Sequence, residues 1–231
     1  MRSIFVTGSN RGLGLGLIKH LVQSSKPPEY IFATCRNPDK ALELKEIAQK
    51  SGGVHIIKLD LTDIDSYKNV VKVVEEKLAG RGLNVLVNNA GISSKFARLN
   101  YVKEKQLTEA FMTNSVAPIL LAKAALNAAT KSMSIDLKDD GILVVCLHPG
   151  WVRTDLGGKN APIDVDTSIQ GILSTLDTLT EAQTGCFLQY DGKMLPCSFF
   201  LDLVFRYLKA IRSCANSKNY IYIYISIFVR M

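Results

Sequence analysis

A chain of 231 residues with 47% hydrophobic and 21% charged residues suits one α/β globular domain able to bury a substantial core. The formal charge of +7 is unevenly spread, because residues 198–231 hold five Lys/Arg against one Asp and supply +4 of it. The first 195 residues carry no basic block with interleaved aromatics, which excludes the electrostatic footprint of a nucleic-acid binder.

Residues 3–6 form a short apolar run ending in Thr7-Gly8-Ser9-Asn10-Arg11-Gly12-Leu13-Gly14, after which Leu15, Leu17, Ile18, Leu21 and Val22 recur at helical spacing. The start therefore reads as strand, turn, helix. The run M-R-S-I-F-V-T-G leaves no room for a signal or transit peptide, so a cytoplasmic protein is expected. Residues 30–34 and 54–59 read as the second and third strands, separated by a helix over 40–50. A helix over about 65–79 leads to a fourth strand at 84–87. Strands alternating with helices of this length predict a parallel sheet with crossover helices on its faces. From 104 to roughly 137 the pattern is helical except at Pro118, and only 142–147 gives the next strand. That helix exceeds the usual length, and the sheet lacks a strand between 87 and 142.

Gly8, Gly12 and Gly14 follow a strand and open a helix. In that context glycines let the backbone approach a pyrophosphate while helix N–H groups point at it. An acidic residue about 20 positions on would bind the ribose 2′-hydroxyl of NAD, and none is there. Arg36 stands instead after Thr34-Cys35, and Arg11 offers a second cation, so NADP(H) is expected over NAD(H). The competing reading of Arg36 is a solvated loop charge.

T-G-S-N-R-G-L-G at 7–14, Asp60-Leu61, Asn88-Asn89-Ala90-Gly91, Asn114 in T-N-S-V-A-P, and His148-Pro149-Gly150-Trp151-Val152 followed by Thr154 together form a specific set. The chain resembles the short-chain dehydrogenases/reductases. N-A-A-T-K-S-M-S-I-D-L-K-D-D-G and F-L-Q-Y-D-G-K look most similar to the sniffer-like branch of NADPH-dependent carbonyl reductases. The resemblance covers residues 1–197 and implies a single Rossmann-type doubly wound domain. It implies that Gly8 to Gly14 hold the pyrophosphate, with Ser9, Asn10 and Arg11 around the adenosine ribose and its phosphate and Leu13 in the same turn, and that Asp60 and Leu61 meet the adenine. Asn88, Ala90 and Gly91 would floor the cleft, and Pro149, Gly150, Val152 and Thr154 would fix the nicotinamide. Asn114 would join the proton relay, holding a water through its side chain or backbone; the competing reading on spacing alone is a helix-bending polar residue. The substrate implied is a small carbonyl compound, with no metal.

Carbonyl reduction needs hydride from the cofactor and a proton for the developing alkoxide. In this family a tyrosine gives the proton, a lysine four residues on lowers its pKa, and a serine on the preceding strand orients the carbonyl. N-S-V-A-P-I-L-L-A-K-A looks like the helix before the fifth strand and K-A-A-L-N-A-A-T-K-S like the helix after it, joined directly. The fifth strand, the serine and the tyrosine are therefore expected to be missing. Ile119 stands four before Lys123, and Lys123 could be either helix's lysine. Tyr101 and Lys105 have the i, i+4 spacing but sit too early in the chain, and Tyr190-Asp191-Gly192-Lys193 is a loop. The expectation is an impaired carbonyl reductase, one central strand short, in which residues 142–147 slide over to pair with the fourth strand. The alternative is a non-catalytic NADP(H)-binding or dimer-partner protein. Family members pair as homodimers through the helices flanking the fifth strand, and fusing those helices weakens that expectation.

Residues 198–231 look foreign to the domain. Residues 198–211 are apolar at helical spacing with Arg206, Lys209 and Arg212, a pattern that would suit an interfacial helix but is too short and too charged to span a bilayer, and membrane association is the less expected reading. Tyr220-Ile221-Tyr222-Ile223-Tyr224-Ile225 alternates strictly, is uncharged, and is an aggregation hazard if exposed. Repeated AT dinucleotides would encode such a run. The five cysteines, Cys35, Cys146, Cys186, Cys197 and Cys214, lack paired C-x-x-C spacing and read as reduced structural thiols.

Overall fold

The computed structural model describes residues 1–79, 81–92, 103–118, 120, 141–195 and 225–230. Strand β1 (Ser3–Val6) is buried at all four residues. It stands inside the sheet, as a continuous apolar run covered on both faces requires. It pairs in parallel with β2 (Tyr30–Cys35) on one side and β4 (Val85–Asn88) on the other, and β2 pairs with β3 (Val54–Lys58). Helices α1 (Gly12–Gln23), α2 (Leu42–Lys50) and α3 (Tyr67–Leu78) make the successive crossovers. These elements match the sequence expectation to within about two residues at each end, the usual uncertainty of element boundaries.

The second half of the sheet holds β5 (Ile142–His148) and β6 (Phe187–Gln189), parallel to each other and joined through α5 (Val165–Asp177). Asp164 caps α5 by accepting the Thr167 N–H at 2.8 Å. On one face of the sheet, Leu17, Ile18 and Leu21 of α1 and Ile169 and Ile172 of α5 bury against Val6, Val145 and Leu147. On the other, Tyr67, Val70 and Val74 of α3 bury against Phe5, Phe32, Leu86 and Val144. Helices on both faces of a mostly parallel sheet make the domain an α/β Rossmann-type fold.

After β4 the chain runs through α4 (Glu104–Phe111) into a π-helical turn at Met112–Val116. The rest of the long helix expected to 137, with Lys123, lies outside the described residues. So does Tyr101. Among the described residues no helix is long and apolar enough to cross a membrane.

The expected slide of β5 onto β4 does not occur. Between them lies β7 (Ile225–Arg230), antiparallel to both, giving the sheet order β3-β2-β1-β4-β7-β5-β6. Packing explains the outcome. Val165 of α5 occupies the place where a β-carbon on Gly16 of α1 would stand. The two helices therefore lock β5 and β6 to the first half of the sheet, and sliding would drag that whole block by about 4.8 Å. Filling the gap with the tail costs less. Closing the roughly 35-residue connection from Gln189 costs about 3 kcal/mol plus a constant. The ladder it forms pairs Val85 to Asn88 on one side and Ile142 to Leu147 on the other. Each pair is worth about 1 kcal/mol net.

Candidate active site

Strand order reverses at β1, since β2 lies on one side and β4 on the other. The carboxyl ends of these strands border the crevice where open α/β sheets take ligands. The turn after β1 reaches it through two left-handed glycines, Gly8 (φ +69°) and Gly12 (φ +55°). A β-carbon on Gly8 would stand 2.9 Å from the Ala90 Cα, and one on Gly14 would collide with the Gly8 carbonyl. The turn is thus packed directly onto the loop after β4. Thr7 fastens the two together: its Oγ1 accepts the N–H groups of Asn89 (3.0 Å) and Ala90 (2.9 Å), while Asn89 Nδ2 donates to the Thr7 carbonyl at 2.8 Å.

The result is a cleft of about 820 Å³. Of the residues expected at a cofactor, Gly8, Asn10, Arg11, Gly12, Leu13 and Arg36 line it from the glycine turn and β2. Asp60, Leu61, Ala90, Gly91 and Thr154 complete the set. The others take different places. Ser9 is fully buried and donates its hydroxyl to the Val6 carbonyl at 2.9 Å, so it faces away from any ribose. Gly14 lies inside α1, where it permits the close approach to Gly8. Asn88 is buried below the floor, with neither its Oδ1 nor its Nδ2 partnered.

The loop after β5 divides similarly. The Pro149 carbonyl accepts from Ser168 Oγ at 2.6 Å, Gly150 has φ +84° and crowds against Ile163, and Val152 is buried and bridged to Ile163. These three shape the loop from beneath. Thr154 faces the cleft, its Cγ2 3.7 Å from the place of a Gly12 β-carbon, and its Oγ1 accepts the Gly157 N–H at 3.0 Å.

Charge in the cleft is mixed. Burial alone would raise the Asp60 carboxyl, but hydrogen bonds from the Thr62 N–H (2.9 Å) and Oγ1 (2.7 Å), with the Arg36 charge, outweigh it and hold Asp60 below the ordinary carboxylate range. Asp60 is thus an anion and a competitor for Arg36. Burial pushes the Cys35 thiol up against an opposing backbone hydrogen bond from Asn37, which keeps it protonated. Arg11 pairs with Asp155 at 2.8 Å.

Asn114 sits in the π turn, and both ends of its amide are taken by Ile92: Oδ1 accepts that residue's N–H at 2.9 Å and Nδ2 donates to its carbonyl at 2.8 Å. The side chain therefore clamps the end of the loop after β4, and only the backbone is left for a water. Among the described lining residues there is neither a tyrosine nor a serine. Tyr67 does not substitute. Burial, with the charges of Asp60 and Asp63, pushes its phenol up to about 12, and its hydroxyl donates to the Leu61 carbonyl at 2.7 Å.

Sequence reasoning missed Lys40, Asn37 and Thr62 along the β2 and β3 ends, and Thr108, Thr113 and Asp155 on the opposite wall. Lys40 carried a signal, being a second cation four residues after Arg36. It also took Asn88 rather than Asn89 as the cleft residue, although the strand ends between them. No group of three His, Cys, Asp or Glu able to hold a metal occurs among the described residues.

A family model described as short chain dehydrogenase matches residues 2–128. The carbonyl reductase Sniffer of D. melanogaster is similar at 40% identity and a TM-score of 0.81, over 84% of this chain and 99% of that one. An NADPH-bound carbonyl reductase from chicken fatty liver matches at 34% identity and a TM-score of 0.80, over 84% and 98%. An uncharacterized oxidoreductase of Schizosaccharomyces pombe is 30% identical over 83% of this chain and 96% of its own length.

Proposed function

The chain belongs to the short-chain dehydrogenase family, and on that premise we propose that it binds NADP(H) in the cleft at the β1–β4 switch point as a carbonyl-reductase-type protein whose proton donor is gone. The observation that carries the reading is the joining of Gly8 and Gly12, Arg11 and Arg36, and the Ala90–Gly91 loop in one cleft.

The residues fit that cofactor. Two left-handed glycines leave the turn without side-chain bulk where a pyrophosphate must approach backbone N–H groups. Arg36 and Lys40 lie at the β2 end, where a 2′-phosphate would need cations. Asp60 and Leu61 would border the adenine, and Thr154 the nicotinamide side. The bound cofactor would supply a hydride to the carbonyl carbon of a small substrate. What this chain adds is position: Thr7 and Asn89 fix the cleft floor, and Asn114 fixes its far edge through Ile92.

The proton is the weak point. In the sequence Ile119 stands where a tyrosine would precede Lys123, and a hydrocarbon side chain donates no proton. Supporting a lost segment, the alignment with the S. pombe relative runs over 247 residues, more than the 231 of this whole chain, so stretches of the relative have no counterpart here. Losing a general acid costs on the order of 10²–10⁴ in rate.

The test pairs two readouts on one sample: NADPH binding by fluorescence, and NADPH consumption with a reactive dicarbonyl such as phenanthrenequinone. Binding with little turnover is expected. Turnover near that of an intact reductase would mean another group gives the proton, and absence of binding would remove the nucleotide reading.

A further inference from the structure

We propose that the gap between β4 and β5 is a strand-docking site whose ligand is the segment Ile225–Arg230, held there by backbone pairing rather than by its covalent connection to the domain.

The walls of the gap are made for an extended chain. Val85, Leu86 and Val87 on one side and Ile142, Leu143, Val144 and Val145 on the other are each at most 4% exposed. All of them except Leu143 belong to the two cores on opposite faces of the sheet. Their backbone groups in the plane of the sheet therefore have no route to water and must find partners. Because β7 is antiparallel to both β4 and β5, those two strands run parallel to each other across it, about two strand spacings apart. A gap of that width takes one strand.

The register matches on both sides at once. Ile227 lies opposite Val87 and Val145, Phe228 opposite Leu86 and Val144, and Val229 opposite Val85 and Leu143. A strand paired along both edges uses its N–H and C=O groups almost completely, which is how strand addition gains its affinity. The docked segment contains no charge before Arg230, in keeping with apolar walls.

The occupant is the chain's own tail and not that of a second copy. A tether of roughly 30 residues after Leu195 gives an effective concentration in the millimolar range. At micromolar protein the tail in cis therefore outcompetes one arriving in trans by about a thousandfold. The same arithmetic says what cutting the tether would do: a fragment that stays bound at micromolar concentration needs about 8 kcal/mol of binding. Ten register pairs at about 1 kcal/mol each are of that order.

The experiment places a recognition sequence for a specific protease after Asn216 of the full chain and cuts it once folded. The expected result is that the fragment beginning at Ser217 stays with the domain through gel filtration at micromolar concentration. A fluorescently labelled synthetic peptide of residues 217–231 then replaces it slowly, and the same peptide carrying Ile227→Pro binds roughly ten- to a hundredfold more weakly, having lost a ladder donor. Loss of the fragment without uptake of the labelled peptide overturns the proposal, and so does equal uptake of the proline peptide. Hydrogen exchange on the uncut, unaltered chain gives a second reading. Amides of Val85–Asn88 and Ile142–His148 should exchange as slowly as those of β1 and β2, and fast exchange confined to the facing edges of β4 and β5 would also overturn it.

Discussion

Arg11 Nη1 lies 2.8 Å from Asp155 Oδ2, an ion pair that ties the glycine turn to the loop after β5 across the cleft. The same guanidinium is a candidate partner for a 2′-phosphate, so Asp155 competes with the cofactor for it. Both side chains are largely exposed, at 63% and 80%, and a pair of that kind is worth less than about 1 kcal/mol. Asp155→Asn is therefore expected to tighten NADPH binding by no more than about fivefold and to leave NADH unchanged. Fluorescence titration of both cofactors at low salt measures it. An equal gain for NADH would show that the loop, and not the freed arginine, is responsible.

Thr7 supplies the next prediction, because one hydroxyl oxygen accepts two backbone N–H groups from the loop after β4. Thr7 is buried, so Thr7→Val preserves shape while leaving both donors without an acceptor. The cost should be about 2–4 kcal/mol, read as a lower urea midpoint with an unchanged slope, together with weaker NADPH binding. Thr7→Ser keeps the acceptor and should recover most of both. If valine is as stable as threonine, the loop is held by Asn89 alone.

The contrast between what the sequence disclosed and what it hid has a physical basis. Strands β1 to β4 were legible because each is an apolar run closed by Gly, Pro, Asn or Asp, and the glycine turn because local conformation dictates it. Helix α5 carried a signal that went unread, since Val165, Ile169, Ile172, Leu173 and Leu176 recur at helical spacing and all pack on the core. Strand β6, at three residues, is too short to show a period. The alternating run Tyr220–Ile225 lies, except for Ile225, outside the described residues, and the strand found is Ile225–Arg230, whose partners β4 and β5 are distant in the chain, so no local pattern names them. The site split the same way: Gly8, Gly12 and Arg36 announce themselves, whereas Asp155 and Thr108 enter the cleft only through tertiary packing.

His148 ties stability to pH. Its Nδ1 accepts the Gly150 N–H at 2.7 Å, and burial pushes its pKa below the ordinary 6.5. In the folded state the ring resists a proton that the unfolded chain accepts. Stability is therefore fully present above the unfolded value of about 6.5 and is lost as pH falls below it towards the folded pKa. His55 shifts the same way, from burial first and the Lys77 charge second, so it shares the effect. His148→Asn can keep an acceptor for Gly150 without titrating. The difference in urea midpoint between about pH 7.5 and about pH 5.5 should shrink in this variant without vanishing. An unchanged difference would assign the acid sensitivity elsewhere.

Asn88 separates a role in the cleft from a burden in the core. The resemblance implies that it lines the cofactor floor, yet it is 5% exposed and does not line the cleft, and both polar atoms of its amide are buried without partners. An amide in that state costs about 1–3 kcal/mol relative to a satisfied one. Replacing it by an apolar, β-branched residue of similar size removes that cost and suits a strand position. Asn88→Val is accordingly expected to raise unfolding free energy by about 1–2 kcal/mol while leaving NADPH affinity within about twofold. Urea denaturation and fluorescence titration on the same preparation decide it. Loss of affinity with no gain in stability would mean that the bound cofactor, or the substrate beside it, is the missing partner of this amide, and would return Asn88 to the cleft.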